Sequence, residues 1–156
     1  MEVKNYRILY SRKKLNKSQN MTRGHGVLEP LLARLRANKA NKLIPSELRQ
    51  GRILDIGCGS YPYFLSHTSF ASKFSIDQQQ PTRNFEDIEW IVLDLNHDPQ
   101  IPYDNDYFDV ITLLAVIEHL DPNMLTILFK ETYRLLKPGG ILLLTTLLIG
   151  LTDCFM

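Results

Sequence analysis

Five short apolar runs, separated by helical or loop segments, constrain the fold of this chain more than any other feature of its sequence. The runs are Ile53–Ile56, Phe74–Ile76, Ile91–Leu95, Val110–Leu114 and Ile141–Thr146. Strands that are apolar on both faces and alternate with helices occur in parallel sheets that helices cover on both sides. The sequence therefore predicts an α/β fold with a doubly wound, mostly parallel sheet.

Two helices are predicted around these runs. In residues 27–43, the leucines Leu28, Leu31, Leu32 and Leu35 share one face, and Arg34, Arg36 and Lys39 share the other. A later helix follows Asp121, a favourable N-cap residue, and begins at Pro122. We expect it to end at the "KPGG" of positions 137–140.

Composition indicates one globular domain with an uneven charge distribution. The 156 residues are 44% hydrophobic and 22% charged, and the formal net charge of +1 gives no reason to expect a nucleic-acid partner. Seven basic residues stand against one acidic residue in positions 1–23. We therefore divide the chain into a basic segment, residues 1–26, and a domain, residues 27–156. The segment is a solvated tail, a nucleic-acid arm or a lid over the substrate, and the lid would contribute Tyr6, Tyr10 and His25.

Cysteine usage and hydropathy predict a cytoplasmic protein without a membrane anchor or a metal. Cys58 and Cys154 form no disulfide framework, and no Cys/His cluster has metal-ligand spacing. The N-terminus is too polar for a signal peptide, and the longest apolar run, residues 141–151, is too short to span a bilayer.

The stretch "ILDIGCGSYPYF", positions 53–64, predicts a ligand-binding loop after the first strand. Gly57 and Gly59 allow the backbone to turn sharply and to approach a ligand closely. Asp77 ends the second run 18 residues after Gly59, near the spacing at which an acid binds ribose hydroxyls. A dinucleotide fingerprint needs glycine or alanine at position 62, which is Pro62 here. The pattern thus predicts a nucleoside ligand without a pyrophosphate, which argues against a nicotinamide-dependent oxidoreductase.

Four motifs in order resemble those of class I S-adenosylmethionine-dependent methyltransferases of the broad small-molecule type. They are "ILDIGCGS", "FSID", "WIVLDLNHDPQIPYDNDYFDVITLLAVIEHL" and "RLLKPGGILLLTT", and they cover about residues 50–147. The resemblance implies a Rossmann-like fold, S-adenosylmethionine as cofactor, and methyl transfer to an unidentified small molecule. The alternative is a non-catalytic module of the same fold that binds the cofactor or regulates another protein.

The resemblance also implies which residues contact the methionine half of the cofactor. By position, Asp55 lies near the methionine amino group, and Leu114 lines the methionine end. The backbone of Gly57, Cys58 and Gly59 contacts the methionine and ribose portions. A packing role is expected for the Cys58 side chain rather than nucleophilic chemistry.

A second set of implied contacts surrounds the nucleoside. Asp77 binds the ribose hydroxyls and Gln78 borders the adenine. Asp94 accepts from the adenine amino group, and Leu95 lies against the ring with its N–H near a ring nitrogen. Because Asp77 ends a strand, we expect its loss to cost little stability.

Two further positions depend on the resemblance. Tyr61 departs from the family, which commonly has a third glycine there, so we expect it at the rim of the site. His119 follows the fourth run and is the candidate general base, although in this family the Glu-His pair often has a structural role.

Asp109 begins a strand and is expected to be structural.

In the family that the chain resembles, a helix and two more strands follow the fifth strand. Only ten residues, 147–156, follow the fifth run here, so we expect a C-terminally short domain that lacks the last strands. The uncharged stretch "ILLLTTLLIGL" would then form an unprotected edge. Either the chain is a fragment or a natural truncation, or it covers this edge by self-association, and we expect a homodimer or larger assembly through residues 141–156.

Overall fold

The computed structural model describes residues 29–98 and 100–146. The predictions for the basic segment, Leu28, Cys154 and residues 147–156 lie outside these residues. The described part forms one sheet of five parallel strands in the order β3-β2-β1-β4-β5. The strands are β1 (Arg52–Ile56), β2 (Ser72–Asp77), β3 (Ile88–Val92), β4 (Phe108–Leu114) and β5 (Leu136–Thr145). The predicted α/β class and parallel sheet are confirmed.

The described residues also form three α-helices and two 3-10 turns. The helices are α1 (Glu29–Leu43), α2 (Tyr63–Ser66) and α3 (Pro122–Leu135), and the turns are Ser46–Gln50 and Ile117–His119. The chain runs from β1 outward through β2 to β3, then crosses to β4 on the other side of β1. The strand order reverses beside β1, and the crevice beyond the carboxyl ends of the strands at such a point is where open α/β sheets bind ligands.

Each face of the sheet has its own hydrophobic core. One core joins Ile53 and Val110 of the sheet to α1 and α2, and the other joins Leu54 and Ile111 to α3. Leu128 and Leu135 of α3 are 2% and 0% exposed. The helices therefore cover both faces, which is the doubly wound arrangement.

The predicted inner face of α1 is wrong. Leu31 and Leu35 are 51% and 55% exposed, whereas Ala37 and Ala40 are 1% and 0% exposed. The alanines have small side chains, so this face lets the helix axis approach the sheet closely, which the leucine face would not. The predicted polar face is not fully exposed either, because Arg36, one of its three basic residues, is half-buried.

The start of α3 agrees with its predicted capping. The Asp121 carboxylate accepts a 2.9 Å hydrogen bond from the Asn123 N–H, and Pro122 occupies the first turn. The predicted end is two residues late, because α3 ends at Leu135 and β5 begins at Leu136. The strand therefore starts before Gly139, whose φ is +82°.

Strand β3 lies three residues earlier than the predicted run. It is an edge strand of the described sheet, and only Ile88 among its residues is buried, whereas Glu89 and Val92 are exposed, so it does not form a continuous apolar run. Asp94 and Leu95 consequently lie in the turn beyond the strand rather than inside it.

Asp109 holds the opposite, amino-terminal end of the sheet. Its carboxylate accepts a 2.7 Å hydrogen bond from the Arg52 N–H and bonds of 2.8 and 2.9 Å from Lys137 Nζ. Partial burial opposes ionisation, but the donors of Lys137 and Arg52 outweigh it and lower the pKa of Asp109. These contacts support the structural role that we expected.

Candidate cofactor site

The glycine loop after β1 has a backbone that other residues adopt poorly. Gly57 and Gly59 have φ angles of +77° and +73°. A Cβ on Gly57 would also lie 2.6 Å from a methyl carbon of Val116. The Gly57 N–H donates a 2.7 Å hydrogen bond to the Ile76 carbonyl, which anchors the loop to β2. Both predicted glycines are therefore required by conformation, and Gly57 is also required by packing.

Asp77 fixes this loop to the end of β2. Its carboxylate accepts hydrogen bonds from the backbone N–H of Gly59, at 2.7 Å, and of Gln79, at 2.8 Å. Asp77 is only 4% exposed. These bonds revise the expectation that its loss would cost little stability, because removal of the carboxylate would leave the two donors without their acceptor.

Asp55 lies at the centre of the sheet edge and is almost fully buried. Its Oδ1 accepts a 2.7 Å hydrogen bond from the Thr112 hydroxyl on β4. Among the described residues, Oδ2 has no hydrogen-bond partner and no cation neutralises the carboxylate. Burial raises the pKa of Asp55 to about 7, with a smaller contribution from the charge of Asp77 and against the lowering effect of the Thr112 bond. A buried carboxylate of this kind favours a ligand that brings a positive charge.

Asp94 caps the turn that follows β3. Oδ1 accepts a 3.0 Å hydrogen bond from the Asn96 N–H, and Oδ2 lies 2.9 Å from His97 Nδ1. The Asn96 side-chain oxygen accepts from the Asp121 N–H at 3.3 Å, which connects the turn to the start of α3. Asp94 thus stands at the same edge of the sheet as Asp55 and Asp77, as the sequence predicted.

The remaining predicted cofactor residues differ in their surroundings. Gln78 is exposed beside the site, whereas Leu95 is 8% exposed and packs in the core shared with α3. Leu114 is half-buried at the end of β4. Cys58 Sγ accepts from the Ser75 hydroxyl at 2.6 Å and lies 3.1 Å from the Gly59 carbonyl oxygen. The Cys58 thiol is thus hydrogen-bonded within the loop and to β2, which differs from the small apolar packing role that we expected.

Tyr61 is accommodated without backbone strain at a position where the family commonly has a glycine. Its φ is not positive, so no strain requires a glycine at this position. The ring packs edge-on against Phe85 at 5.7 Å, lies 5.7 Å from the Arg83 guanidinium, and remains 42% exposed. Tyr61 is thus part of an exposed aromatic and basic cluster next to the loop.

His119 is exposed in the 3-10 turn after β4. Its ring makes no hydrogen bond with any described residue. The structure therefore supplies no partner that would orient His119 as a base.

Sequence reasoning missed the residues that support the site. Thr112 hydrogen-bonds to Asp55, His97 hydrogen-bonds to Asp94, and Val116 packs on Gly57. Ala115, which precedes Val116, has a φ of +58°, and its N–H donates to the Thr145 carbonyl. The only local signal was Thr112 itself, a polar residue inside an apolar run.

The chain belongs to the methyltransferase domain family, whose profile matches residues 25–152. This confirms the resemblance drawn from the motifs, and S-adenosylmethionine is the cofactor that membership of this family implies. No curated protein sequence matches the chain.

Solved structures of methyltransferases share the fold. An S-adenosylmethionine-dependent methyltransferase from Mesorhizobium loti is 20% identical, with a TM-score of 0.59, over 74% of this chain and 54% of that one. A protein of Methanococcus maripaludis assigned to the same class is 19% identical, with a TM-score of 0.59, over 77% and 57% of the two chains. An assigned methyltransferase of Haloferax volcanii, in complex with a methyltransferase activator, is 19% identical, with a TM-score of 0.54, over 74% and 56%. This chain thus spans little more than half the length of these proteins.

The residues at the carboxyl edge of the sheet fit this cofactor. A ligand with an ammonium group would neutralise the buried carboxylate of Asp55, and a nucleoside without phosphates would not be obstructed by Pro62. Within residues 29–98 and 100–146, no group of His, Cys, Asp and Glu is arranged to hold a metal ion. No helix in these ranges is long and apolar enough to cross a membrane.

Proposed function

We propose that this protein is an S-adenosylmethionine-dependent methyltransferase that acts on a small molecule. The observation that carries the proposal is Asp55, a buried carboxylate with one unpartnered oxygen among the described residues, placed beside the glycine loop. Asp77, which shapes that loop, binds the ribose hydroxyls, and Asp94 accepts from the adenine amino group. Gly57, Cys58 and Gly59 offer backbone to the cofactor, while Gln78, Leu95 and Leu114 border it. Tyr61 and its aromatic neighbours form the rim.

The protein contributes position and exclusion of water rather than covalent chemistry. When bound, S-adenosylmethionine supplies a methyl group activated by its sulfonium. The acceptor lone pair forms the new bond to the methyl carbon, the carbon–sulfur bond breaks, and its electron pair stays on sulfur. An oxygen acceptor must also lose a proton, and His119 is the proposed base because its exposed ring is free of other hydrogen bonds with described residues.

A non-catalytic, cofactor-binding or regulatory module is the second candidate. The chain covers only 54% to 57% of the matched methyltransferase structures, so nearly half of each has no counterpart in the aligned part. Both candidates need an intact cofactor site, and only the first needs turnover.

Methyl transfer to a fractionated metabolite extract, with the methyl group of the cofactor radiolabelled, tests the proposal. Label in a small-molecule fraction supports the methyltransferase. Cofactor retention without transfer supports the module. Label in a nucleic-acid or protein fraction contradicts the small-molecule acceptor, and absence of both retention and transfer contradicts both candidates.

The outer edge of β5 carries a further proposal. Strand β5 pairs only with β4 among the described residues, and Leu144 on it is 38% exposed. We propose that this edge, with the chain to residue 156, pairs with a second copy. The Haloferax neighbour is itself bound to an activator protein, so a different protein is the alternative partner for this edge. The measured mass of the assembly would distinguish a second copy of this chain from such a partner.

The remaining assignments are proposals from the sequence. The basic segment, residues 1–26, is a solvated tail or a lid over the substrate, the domain occupies residues 27–156, and the protein works in the cytoplasm. Deletion of residues 1–23 should impair turnover more than cofactor binding if the segment is a lid. Salt-sensitive binding to random DNA or RNA would contradict this role.

A further inference from the structure

His97 makes a contact that the proposed function does not require. Its Nδ1 lies 2.9 Å from Asp94 Oδ2, and its side chain is 84% exposed. Since a carboxylate oxygen only accepts, Nδ1 is the donor. An exposed pair of this kind contributes little to stability. Its effect is therefore on the orientation of the Asp94 carboxylate rather than on folding.

The Asp94 carboxylate is held by one donor on each oxygen. The Asn96 N–H donates to Oδ1 at 3.0 Å and His97 donates to Oδ2. The torsion about the bond to a carboxylate is intrinsically broad, so two donors on different oxygens restrict it. A carboxylate has about four lone-pair sites, which leaves one on each oxygen for a ligand.

The turn itself does not depend on the His97 side chain. The backbone N–H groups of His97 and Asp98 donate to the Asp94 carbonyl at 3.0 and 2.9 Å. The Asn96 side chain also accepts from the Asp121 N–H at 3.3 Å, which ties the turn to α3. Loss of the imidazole would release one carboxylate oxygen while the backbone path stays in place.

We propose that His97 is a positioning residue that orients Asp94 to distinguish an amino group from a carbonyl on the purine of the cofactor. This rests on the proposed function, in which Asp94 meets the adenine. An ionised carboxylate accepts from the exocyclic amino group of adenine and repels the carbonyl oxygen of hypoxanthine. The discrimination is sharpest when the carboxylate is held in the plane and at the angle of the amino hydrogens. His97 supplies the second of the two donors that hold it.

Titration calorimetry with S-adenosylhomocysteine and S-inosylhomocysteine tests the proposal through the ratio of their dissociation constants. Wild type should prefer the adenosyl compound by tenfold or more, and Asp94→Asn should abolish most of that preference. His97→Ala should reduce the ratio roughly three- to tenfold, the range for one lost hydrogen bond. His97→Asn, whose amide can donate from nearly the same place, should restore it.

His67→Ala is the matched control. His67 is an exposed histidine whose Nδ1 lies 2.7 Å from the Tyr63 carbonyl oxygen, on an element that does not contact Asp94. This variant should keep the wild-type ratio, and thermal unfolding should confirm that all variants are folded.

The possible failures separate the two proposals. If Asp94→Asn collapses the ratio and His97→Ala leaves it unchanged, His97 is only a surface ion-pair partner and the inference is overturned while the proposed function stands. If Asp94→Asn leaves the ratio unchanged, Asp94 does not read the purine and both assignments are overturned. If wild type binds neither compound, the proposed function is overturned, and the inference with it.

Discussion

The hydroxyl of Thr112 on β4 donates a 2.7 Å hydrogen bond to Oδ1 of Asp55 on β1. The bond crosses the point where the strand order reverses, and Asp55 and Thr112 are also partners in the strand register. Thr112 is 0% exposed and Asp55 is 3% exposed. One hydrogen bond from a buried hydroxyl does not compensate for the burial of a charge, and burial raises the pKa of Asp55 to about 7. The site is therefore electrostatically suited to a ligand with an ammonium group.

Asp55→Asn should separate cofactor binding from folding. The amide oxygen still accepts from Thr112, and no charge is buried, so the free energy of unfolding at pH 8 should equal or exceed that of wild type. The affinity for S-adenosylhomocysteine should fall by about 1.5–3 kcal/mol, the range for a hydrogen bond to a charged group. Calorimetry and chemical denaturation measure the two quantities. Asp87→Asn, which alters an exposed acid paired with Lys73, is the control and should leave affinity unchanged.

Stability and cofactor affinity should depend on pH in opposite directions. The pKa of Asp55 is about 7 when folded and 3.8 in the unfolded chain, so the folded protein binds the additional proton between these values. Its contribution to stability, about 4 kcal/mol, is therefore fully present below pH 4 and is lost as the pH rises to 7. Affinity for S-adenosylhomocysteine should instead rise with pH up to about 7, because only the ionised form pairs with the ammonium group.

Denaturation curves and calorimetry between pH 5.5 and pH 7.5 would show both trends. The Asp55→Asn variant should lose both dependences. A wild-type affinity that is flat over this interval would mean that Asp55 does not hold the ammonium group.

Asp77→Ala should weaken both cofactor binding and the fold. Two backbone donors, from Gly59 and Gln79, lose their acceptor, so we expect the free energy of unfolding to fall by about 1–3 kcal/mol. The loss of ribose contacts should weaken S-adenosylhomocysteine binding by about 1.5–3 kcal/mol. Denaturation and calorimetry measure the two effects on one preparation.

Asp109→Ala provides the comparison at the other end of the sheet. It removes the acceptor of Arg52 and Lys137 and should cost a similar free energy of unfolding, about 1–3 kcal/mol. Because these contacts lie at the amino-terminal end of β4, cofactor affinity should not change. An equal loss of affinity in both variants would attribute the Asp77 effect to instability alone.

Leu144→Lys should disrupt self-association through β5. A lysine on an edge strand opposes pairing with another strand. Light scattering at high micromolar concentration should show a dimer for wild type and a monomer for this variant. Ile127→Lys is the control, because Ile127 of α3 is 44% exposed and Leu144 is 38% exposed, and this variant should remain dimeric. A monomeric wild type would contradict the edge proposal.

The fold was largely predictable because buried parallel strands produce continuous apolar runs, and because the capping chemistry of Asp121 is local. Strand β3 was misplaced because an edge strand with exposed positions, such as Val92 at 43% exposed, does not produce such a run. The inner face of α1 was misjudged because hydrophobicity ranks leucine above alanine, whereas the close approach of the helix selected Ala37 and Ala40.

The positions of the acids were predictable because Asp55, Asp77 and Asp94 each lie at or just beyond the carboxyl end of a strand, and the strands of the described sheet are parallel. The residues that hydrogen-bond to these acids were not predictable in the same way. Thr112 contacts Asp55 only because the register of β1 with β4 places the two residues side by side. His97 was missed for a different reason. Its contact with Asp94 depends on a turn, and an exposed histidine in a polar segment gives no signal of its own.

Calorimetric titration of the wild-type protein with S-adenosylhomocysteine, S-adenosylmethionine and NAD tests the central claim most directly. We expect micromolar binding of both sulfur nucleosides and no binding of NAD, because the proposed role of Asp55 calls for an ammonium group and Pro62 replaces the small residue that a pyrophosphate needs. Binding of NAD without a response to either sulfur nucleoside would contradict it.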